Sequence, residues 1–335
     1  MLTVRGLGVR LAPARAGAPA PVLLHDVDLG VGSGEVLVVV GESGAGKSMT
    51  LRTLMGLLPA TAQVRGEALL HPGSDTGAPV DLLAIGERRR RRLRGRELTM
   101  LPQGPLSHLT AVRTVGSQLR EVGRLHARGR EATQRLVADA LRRSGAGTEL
   151  LARYPHELSG GQVQRVSNAA ALMGSPRLVL ADEPTTGLDP DRVEETVREL
   201  RRQADLGRAV VVVTHDLDVA RAVGDTVVVL YAGRTVEQGP AERVLGRPGH
   251  PYTAALLAAR PAGGLVPLAG DPPAVVTGEH EGCPFAPRCP LADDRCRTQV
   301  PVLRETAPGT GHQVACHHAG KAAAPAPPGA VGARC

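Results

Sequence analysis

Three short stretches of this chain carry the residue types needed to hold and cleave a phosphate chain. Gly41-Glu-Ser-Gly-Ala-Gly-Lys-Ser48 follows the spacing G-x-x-x-x-G-K-[ST]. Its glycines let backbone N–H groups curl around phosphate oxygens, Lys47 can reach the β and γ phosphates, and the Ser48 hydroxyl can ligate Mg²⁺. Leu178-Val-Leu-Ala-Asp182-Glu183 is an apolar run ending in two carboxylates. Asp182 suits a metal, directly or through water, and Glu183 suits the polarisation of an attacking water. A third run, Val210 to Val213, leads into Thr214 and His215. Lys47 is conspicuous because the chain has 40 basic residues and only one other lysine, Lys321. That arginine bias reads as genome composition, so a lysine inside the glycine-rich loop calls for a chemical reason.

These groups converge only if regular elements carry them to one place. Val36 to Val40 reads as a buried strand that stops at Gly41, and Lys47 to Leu58 as a helix ending before Pro59. Residues 1–40 alternate apolar and polar positions between turn signals, which predicts short antiparallel strands and hairpins. Residues 105–172 read as mostly helical, with no internal repeat. Strands return at Leu178 to Ala181, Val210 to Thr214 and Thr226 to Tyr231, with a helix at about Asp191 to Ala204. Strand, helix, strand in this order predicts an α/β fold with a largely parallel sheet covered by helices. From about Pro248 glycine and proline become dense, and Ala322 to Cys335 holds almost no core-forming residue, which predicts disorder there.

Composition sets outer bounds. A chain of 335 residues suits one full-sized domain plus an appendage. No apolar run approaches the roughly 18 residues that span a bilayer, which excludes a channel or permease. The first 20 residues hold Arg5, Arg10 and Arg15 and no apolar core of a signal peptide, so the expected place is the cytoplasm. The net charge of +7 is concentrated: Glu87 to Glu97 has seven arginines against two glutamates. A single local run reads as a solvated helical face, not as a nucleic-acid or lipid patch.

Leu158-Ser-Gly-Gly-Gln162 turns these motifs into a likeness. It resembles the signature of ABC ATPases, and the chain to about residue 245 resembles that family's nucleotide-binding domain: a parallel-rich core sheet, an antiparallel β subdomain and a helical subdomain. The resemblance implies that Gly41, Glu42, Ser43, Gly44, Ala45, Gly46, Lys47, Ser48 and Met49 meet the nucleotide. It makes Gln103 the Q-loop glutamine, a catalytic-site and Mg²⁺-facing group beside Ser48 and Asp182. It makes Glu183 the catalytic carboxylate, His215 the switch histidine and Asp189 part of the D-loop. Ser159, Gly160, Gly161 and Gln162 then serve the γ phosphate of another subunit, so the working state is a dimer. Two departures stand out. No aromatic residue precedes Lys47 to stack adenine, leaving a flat guanidinium such as Arg10 or Arg15 to take that place, and Gly104 stands where close relatives commonly carry an acid.

Within the family, Tyr154-Pro-His-Glu-Leu-Ser-Gly-Gly161, Tyr231-Ala-Gly-Arg-Thr-Val-Glu-Gln-Gly239 and His250-Pro-Tyr-Thr-Ala-Ala-Leu-Leu257 resemble the ATPase subunits of oligopeptide, dipeptide and nickel importers. Gly282-Cys-Pro-Phe-Ala-Pro-Arg-Cys-Pro290 and Val314-Ala-Cys316 resemble the C-terminal extension of that branch. The implied organisation is a nucleotide-binding domain at 1–247 with its helical subdomain at about 104–172, an extension at 248–320 and a disordered tail at 321–335. The implied partners are a second, related ATPase in a heterodimer, two permeases and an extracytoplasmic solute-binding protein, placing the chain on the cytoplasmic face of the membrane. Nucleic acid is not expected. The competing readings are a non-transport ATPase acting on nucleic acid or in translation, and the ATPase of an exporter. Only 110 residues separate Ser48 from Ser159, too few for a long coiled-coil insertion, and the importer-type tail argues against an exporter.

All five cysteines fall in the last 53 residues. Cys283, Cys289, Cys296 and Cys316 follow C-x5-C-x6-C-x19-C in an extension with little apolar material, so a metal staple has a folding rationale. The resemblance associates them with a four-iron four-sulfur cluster; the alternatives are zinc and free thiols. Cys335 reads as a bystander, and His317 and His318 as substitute ligands or solvated side chains.

Overall fold

A computed structural model describes residues 1–13, 15, 18–71, 77–101, 104, 108–271 and 281–321. Gln103, Cys335 and the tail from 322 lie outside the described residues. Two long strands open the chain, β1 (Leu2–Arg10) and β2 (Val22–Val31), followed by β3 (Val36–Val40), α1 (Lys47–Met55), β4 (Gln63–Leu70) and β5 (Val80–Asp81). β1, β2, β4 and β5 form an antiparallel sheet in the order β2-β1-β4-β5. The early strands are thus longer than expected, and β1 is sandwiched by a partner from beyond the glycine-rich loop.

The second half supplies α2 (Glu87–Leu93), β6 (Leu98–Leu101), α3 (Val115–Gly123), α4 (Arg130–Arg143), α5 (Gly160–Leu172), β7 (Leu178–Asp182), α6 (Pro190–Asp205), β8 (Ala209–Thr214), α7 (Leu217–Val223) and β9 (Thr226–Tyr231). β9, β3, β8, β7 and β6 lie side by side and parallel. Every residue of β3, β7 and β8 is buried, as parallel strands covered on both faces require. Alternate residues of β3 feed two cores: Val36, Val38 and Val40 pack with α6 and α7, whereas Leu37 and Val39 pack toward α1 and the antiparallel sheet. A third core joins α3, α4 and α5.

The helix after the loop ends at Met55, earlier than expected. Gly56 adopts φ +63°, a left-handed conformation that closes the helix with its N–H on the Arg52 and Thr53 carbonyls. Arg94 reinforces that end, donating to the carbonyls of Met55 (2.8 Å) and Gly56 (3.0 Å) while pairing with Glu87. Arg88, Arg89, Arg91 and Arg92 are exposed, as a solvated face should be, but Arg90 is half-buried and bonds the Leu82 carbonyl.

Beyond β9 come β10 (Arg234–Pro240), α8 (Ala241–Gly246), α9 (Pro251–Ala258), α10 (Asp294–Thr298), β11 (Arg304–Glu305) and β12 (Gln313–Val314). β12 pairs with β10, so the C-terminal segment extends the core sheet itself. Glu237, fully buried on β10, accepts from the N–H groups of Gly249 (2.7 Å) and His250 (3.0 Å) and lies 2.6 Å from His312 Nε2.

Candidate active site

Register brings the three motifs to one edge. Val40 is level with Thr214, and Asp182 with Val213, so Gly41, His215 and Glu183 leave adjacent parallel strands at the same height. That carboxyl end is where open parallel sheets bind ligands. Gly46 caps α1 at φ +101°, and a Cβ there would sit 2.6 Å from Leu24 Cδ2, so only glycine fits. Lys47, buried, folds back across the loop to donate to the carbonyls of Gly41 (2.8 Å) and Glu42 (3.1 Å). Burial holds its ammonium below the ordinary lysine pKa, against the opposing pull of Glu183, Asp182 and Glu42.

Ser48 Oγ donates to Asp182 Oδ1 at 2.7 Å. This oxygen-only pair, one partner of it a buried carboxylate, suits the hard-cation preference of Mg²⁺. Glu183 stands at φ +47°, a strained conformation for a residue with a side chain. Its carboxylate meets His215 Nδ1 at 2.8 Å, accepts from the His215 N–H at 3.4 Å and from Thr186 Oγ1 at 3.3 Å, and lies 3.9 Å from Lys47 Nζ. Ser43, Gly44, Gly46, Lys47, Ser48, Met49, Glu183 and His215 line one cleft of about 410 Å³, joined by Leu23 and Thr186. Neither Arg10 nor Arg15 lines it. Leu23 on β2 supplies the apolar wall instead, because the end of β1 carries Arg10 outward to solvent. An apolar residue before the glycine-rich loop was the available signal for it.

Gly41, Glu42 and Ala45 do not line the cleft. Ala45 is buried, its carbonyl accepting from the Gly233 N–H. Glu42 is held from the C-terminal segment: its N–H donates to the Tyr252 hydroxyl (2.8 Å), and its carboxylate receives Arg288. Tyr252 and Arg288 lie in the importer-like stretches 250–257 and 282–290, neither of which pointed to the glycine-rich loop.

Ser159, Gly160, Gly161 and Gln162 stand apart from the cleft as well. Ser159 caps α5 and exchanges hydrogen bonds with Gln162, a reciprocal box that starts the helix and leaves Ser159 and Gly160 exposed. Asp189 caps α6, accepting from the Arg192 N–H, and is exposed. These residues form a second polar surface, able to offer a helix N-terminus to an anion carried by another molecule.

Cys283, Cys289, Cys296 and Cys316 are free thiols, half-buried or buried. Burial pushes each above the ordinary thiol value, Cys316 to about 11, and Cys316 also feels the fields of the other three. Among the described residues, no three of these thiols lie within 4.8 Å of one another; the trio that does is Asp293, Cys296 and His318. Asp293 caps α10 through the Cys296 N–H, and His317 bonds the Gln299 carbonyl.

The sequence profile described as ABC transporter matches residues 24–186, and that described as the oligopeptide/dipeptide transporter C-terminal region matches residues 236–296. The chain is 40% identical over 303 residues to the dipeptide transport ATP-binding protein DppD of Escherichia coli, covering 87% of this chain and 89% of that one. It is 40% identical over 301 residues to the oligopeptide transport ATP-binding protein OppD of Mycobacterium bovis, covering 84% of this chain and 46% of that one. Its fold is similar to the dimeric ATP-binding cassette MJ0796 in a post-hydrolysis state with ADP and phosphate, at TM-score 0.60 and 26% identity over 72% of this chain and 99% of that one.

Proposed function

The chain belongs to the ABC transporter family of ATPases, and from that premise we propose that it is the ATP-binding subunit that powers import of a peptide-class solute through partner permeases. The carrying observation is the cleft in which Lys47, Ser48 with Asp182, Glu183 and His215 converge. Lys47 and the loop N–H groups hold the β and γ phosphates of ATP. Ser48 and Asp182 hold Mg²⁺, which supplies charge compensation for the phosphates. Glu183 takes a proton from water as the water oxygen bonds to the γ phosphorus, and the bond from that phosphorus to the β–γ bridging oxygen breaks, releasing ADP and phosphate. His215, tethered to the same carboxylate, senses the γ phosphate.

The exposed signature supports a dimer in which Ser159 to Gln162 complete the site of a partner ATPase. A related but unequal partner, two permeases at the cytoplasmic face of the membrane and an extracytoplasmic solute-binding protein complete the assembly. In this reading residues 1–247 are the nucleotide-binding domain and 248–320 the importer-type extension. Among the described residues no helix is long and apolar enough to cross a membrane, so membrane attachment runs through the permeases.

We further propose that Cys283, Cys289, Cys296 and Cys316 hold a four-iron four-sulfur cluster that cross-links the extension. Support for this reading is the C-x5-C-x6-C-x19-C spacing of four soft donors in an extension with little apolar material, which lacks the tight C-x2-C pairs common in zinc sites.

Reconstitution in liposomes with a related ATPase subunit and peptide-importer permeases tests the function. ATP hydrolysis stimulated by a dipeptide-loaded binding protein is expected. Stimulation by nickel alone, or by nucleic acid without permeases, would overturn the peptide reading.

A further inference from the structure

Glu42 presents a physical problem: it places a carboxylate at the second position of a loop built to attract anions. Like charges disfavour one another strongly where solvent is thin. The loop is short, and the Glu42 carbonyl itself accepts from Lys47 Nζ at 3.1 Å, so the Glu42 backbone is part of the cradle. A free carboxylate there would oppose ATP.

We infer that Arg288, in the C-terminal extension, is a positioning residue for ATP binding: it neutralises Glu42, holds its carboxylate away from the phosphates and thereby sets the shape of the glycine-rich loop. The pairing is a two-pronged fork, Nη1 to Oε2 at 2.7 Å and Nη2 to Oε1 at 3.1 Å, the geometry in which arginine binds carboxylates best. Arg288 is only 6% exposed and Glu42 21%, so the pair is poorly screened. The fork is itself aimed: Arg288 Nε donates to the Ala269 carbonyl at 2.7 Å, and its guanidinium lies 5.9 Å from the centre of the Tyr231 ring. The hydrogen bonds to Glu42 keep the guanidinium charged, raising its pKa against the opposing effect of burial.

A second tie acts on the same residue. The Glu42 N–H points to Tyr252 on α9, away from the cleft. Tyr231, Tyr252 and Phe285 pack edge to face or tilted at 4.5 to 5.4 Å between ring centres, a rigid base joining β9, α9 and the turn that ends in Arg288. One residue of the loop is thus fixed at backbone and side chain by segments 210 and 246 positions away. The extension is mechanically part of the nucleotide site.

This inference rests on the ATP-site reading above, and the experiment separates the two. Titration calorimetry of the purified full chain with ATP and Mg²⁺ compares the parent with Lys47→Ala, Arg288→Ala, Arg288→Lys, Glu42→Gln and the double variant Arg288→Ala with Glu42→Gln, each checked by thermal melting. Arg288→Ala is expected to weaken ATP binding about tenfold by leaving Glu42 uncompensated. Removing that charge in the double variant is expected to restore affinity to within about threefold of the parent. Arg288→Lys should fall between, since it keeps the charge and loses the fork. In the assembled transporter the Arg288→Ala defect should appear in the KM for ATP and not in kcat. A folded Arg288→Ala protein with parental affinity, or a double variant as weak as the single one, overturns the inference. If Arg288→Ala does not fold, Glu42→Gln decides: parental or tighter binding upholds it, and tenfold weaker binding overturns it. Failure of the ATP-site reading has a different signature, namely no ATP binding by the parent or parental binding by Lys47→Ala.

Discussion

Glu183 and His215, 32 positions apart, meet carboxylate to imidazole, Oε2 to Nδ1 at 2.8 Å, at the ends of neighbouring parallel strands. An ionised carboxylate only accepts, so Nδ1 carries the hydrogen. The contact binds the residue proposed to activate water to the residue proposed to sense the γ phosphate. Any movement of one is felt by the other.

Under that assignment Glu183→Gln removes the proton acceptor but keeps the side-chain volume and a hydrogen-bond acceptor for His215. Turnover should fall by at least about 100-fold, the scale of general base catalysis, while ATP binding persists. Steady-state hydrolysis in the assembled transporter, beside equilibrium ATP binding, measures both. Parental turnover by Glu183→Gln would remove Glu183 from the base role.

What the sequence made legible and what it hid divide along contact order. The loop, the two acids and the histidine are each defined by neighbours within a few residues, and parallel strand register then delivers them together. The end of α1 was misread because one glycine at 56, with φ +63°, outweighs two further leucines of apolar pattern. Leu23 was passed over in favour of Arg10 and Arg15 because the search was for a flat group and the cleft wall is aliphatic. Tyr252 and Arg288 stand in the importer-like stretches 250–257 and 282–290, but their action on Glu42 stayed hidden: both reach it across more than 200 residues, and nothing local marks a long-range contact. The loss of periodicity after Pro248 concealed a segment whose order comes from pairing with β10 and from the buried Glu237 and His312.

His250 predicts a specific acid sensitivity. It caps α9 by accepting the Tyr252 N–H at Nδ1, and its buried Nε2 meets no hydrogen-bond partner among the described residues. Burial pushes its pKa down to about 4, with the Glu237 charge opposing. The native protein therefore stays unprotonated between pH 6.5 and 4, while the unfolded chain binds a proton. Stability is lost as pH falls through that window, by about 2 kcal/mol between pH 7 and pH 5. His250→Asn keeps a capping side chain and removes the proton uptake. Urea unfolding at pH 7 and pH 5 should give a smaller stability loss for the variant. Equal losses would mean that other groups carry the acid dependence.

The separation of the signature from its own cleft predicts that the isolated chain is a poor ATPase. Ser159 and Gly160 are exposed on α5, and no signature residue lines the site around Lys47. Hydrolysis per subunit should rise when the related ATPase is added, and dilution should reduce it. Light scattering alongside phosphate release tests this. Rapid, concentration-independent hydrolysis by a demonstrably monomeric sample would contradict the dimer.

The cysteines give a prediction independent of ATP turnover. Four thiols lie in a segment whose described core residues are few, Phe285, Cys296, Val314 and Ala315 among them, so little apolar burial is available to fix the turns that carry Cys283 and Cys289. Local hydrogen bonds do part of the work: the Cys283 N–H reaches the Cys296 carbonyl at 2.8 Å, and Asp293 caps the turn into Cys296. Neither reaches Cys316, which arrives from β12 on the far side of a long connection. A cluster bonded to all four would close that connection and stabilise the extension as structural metals do. Anaerobic preparations should carry about four iron and four sulfide per chain. Serine at Cys316 should lower iron content and reduce the melting temperature by about 5 °C. A colourless, metal-free protein whose melting is unchanged by serine at all four positions would leave the thiols as ordinary side chains and assign the order of the extension to β12 pairing and the Glu237–His312 contact alone.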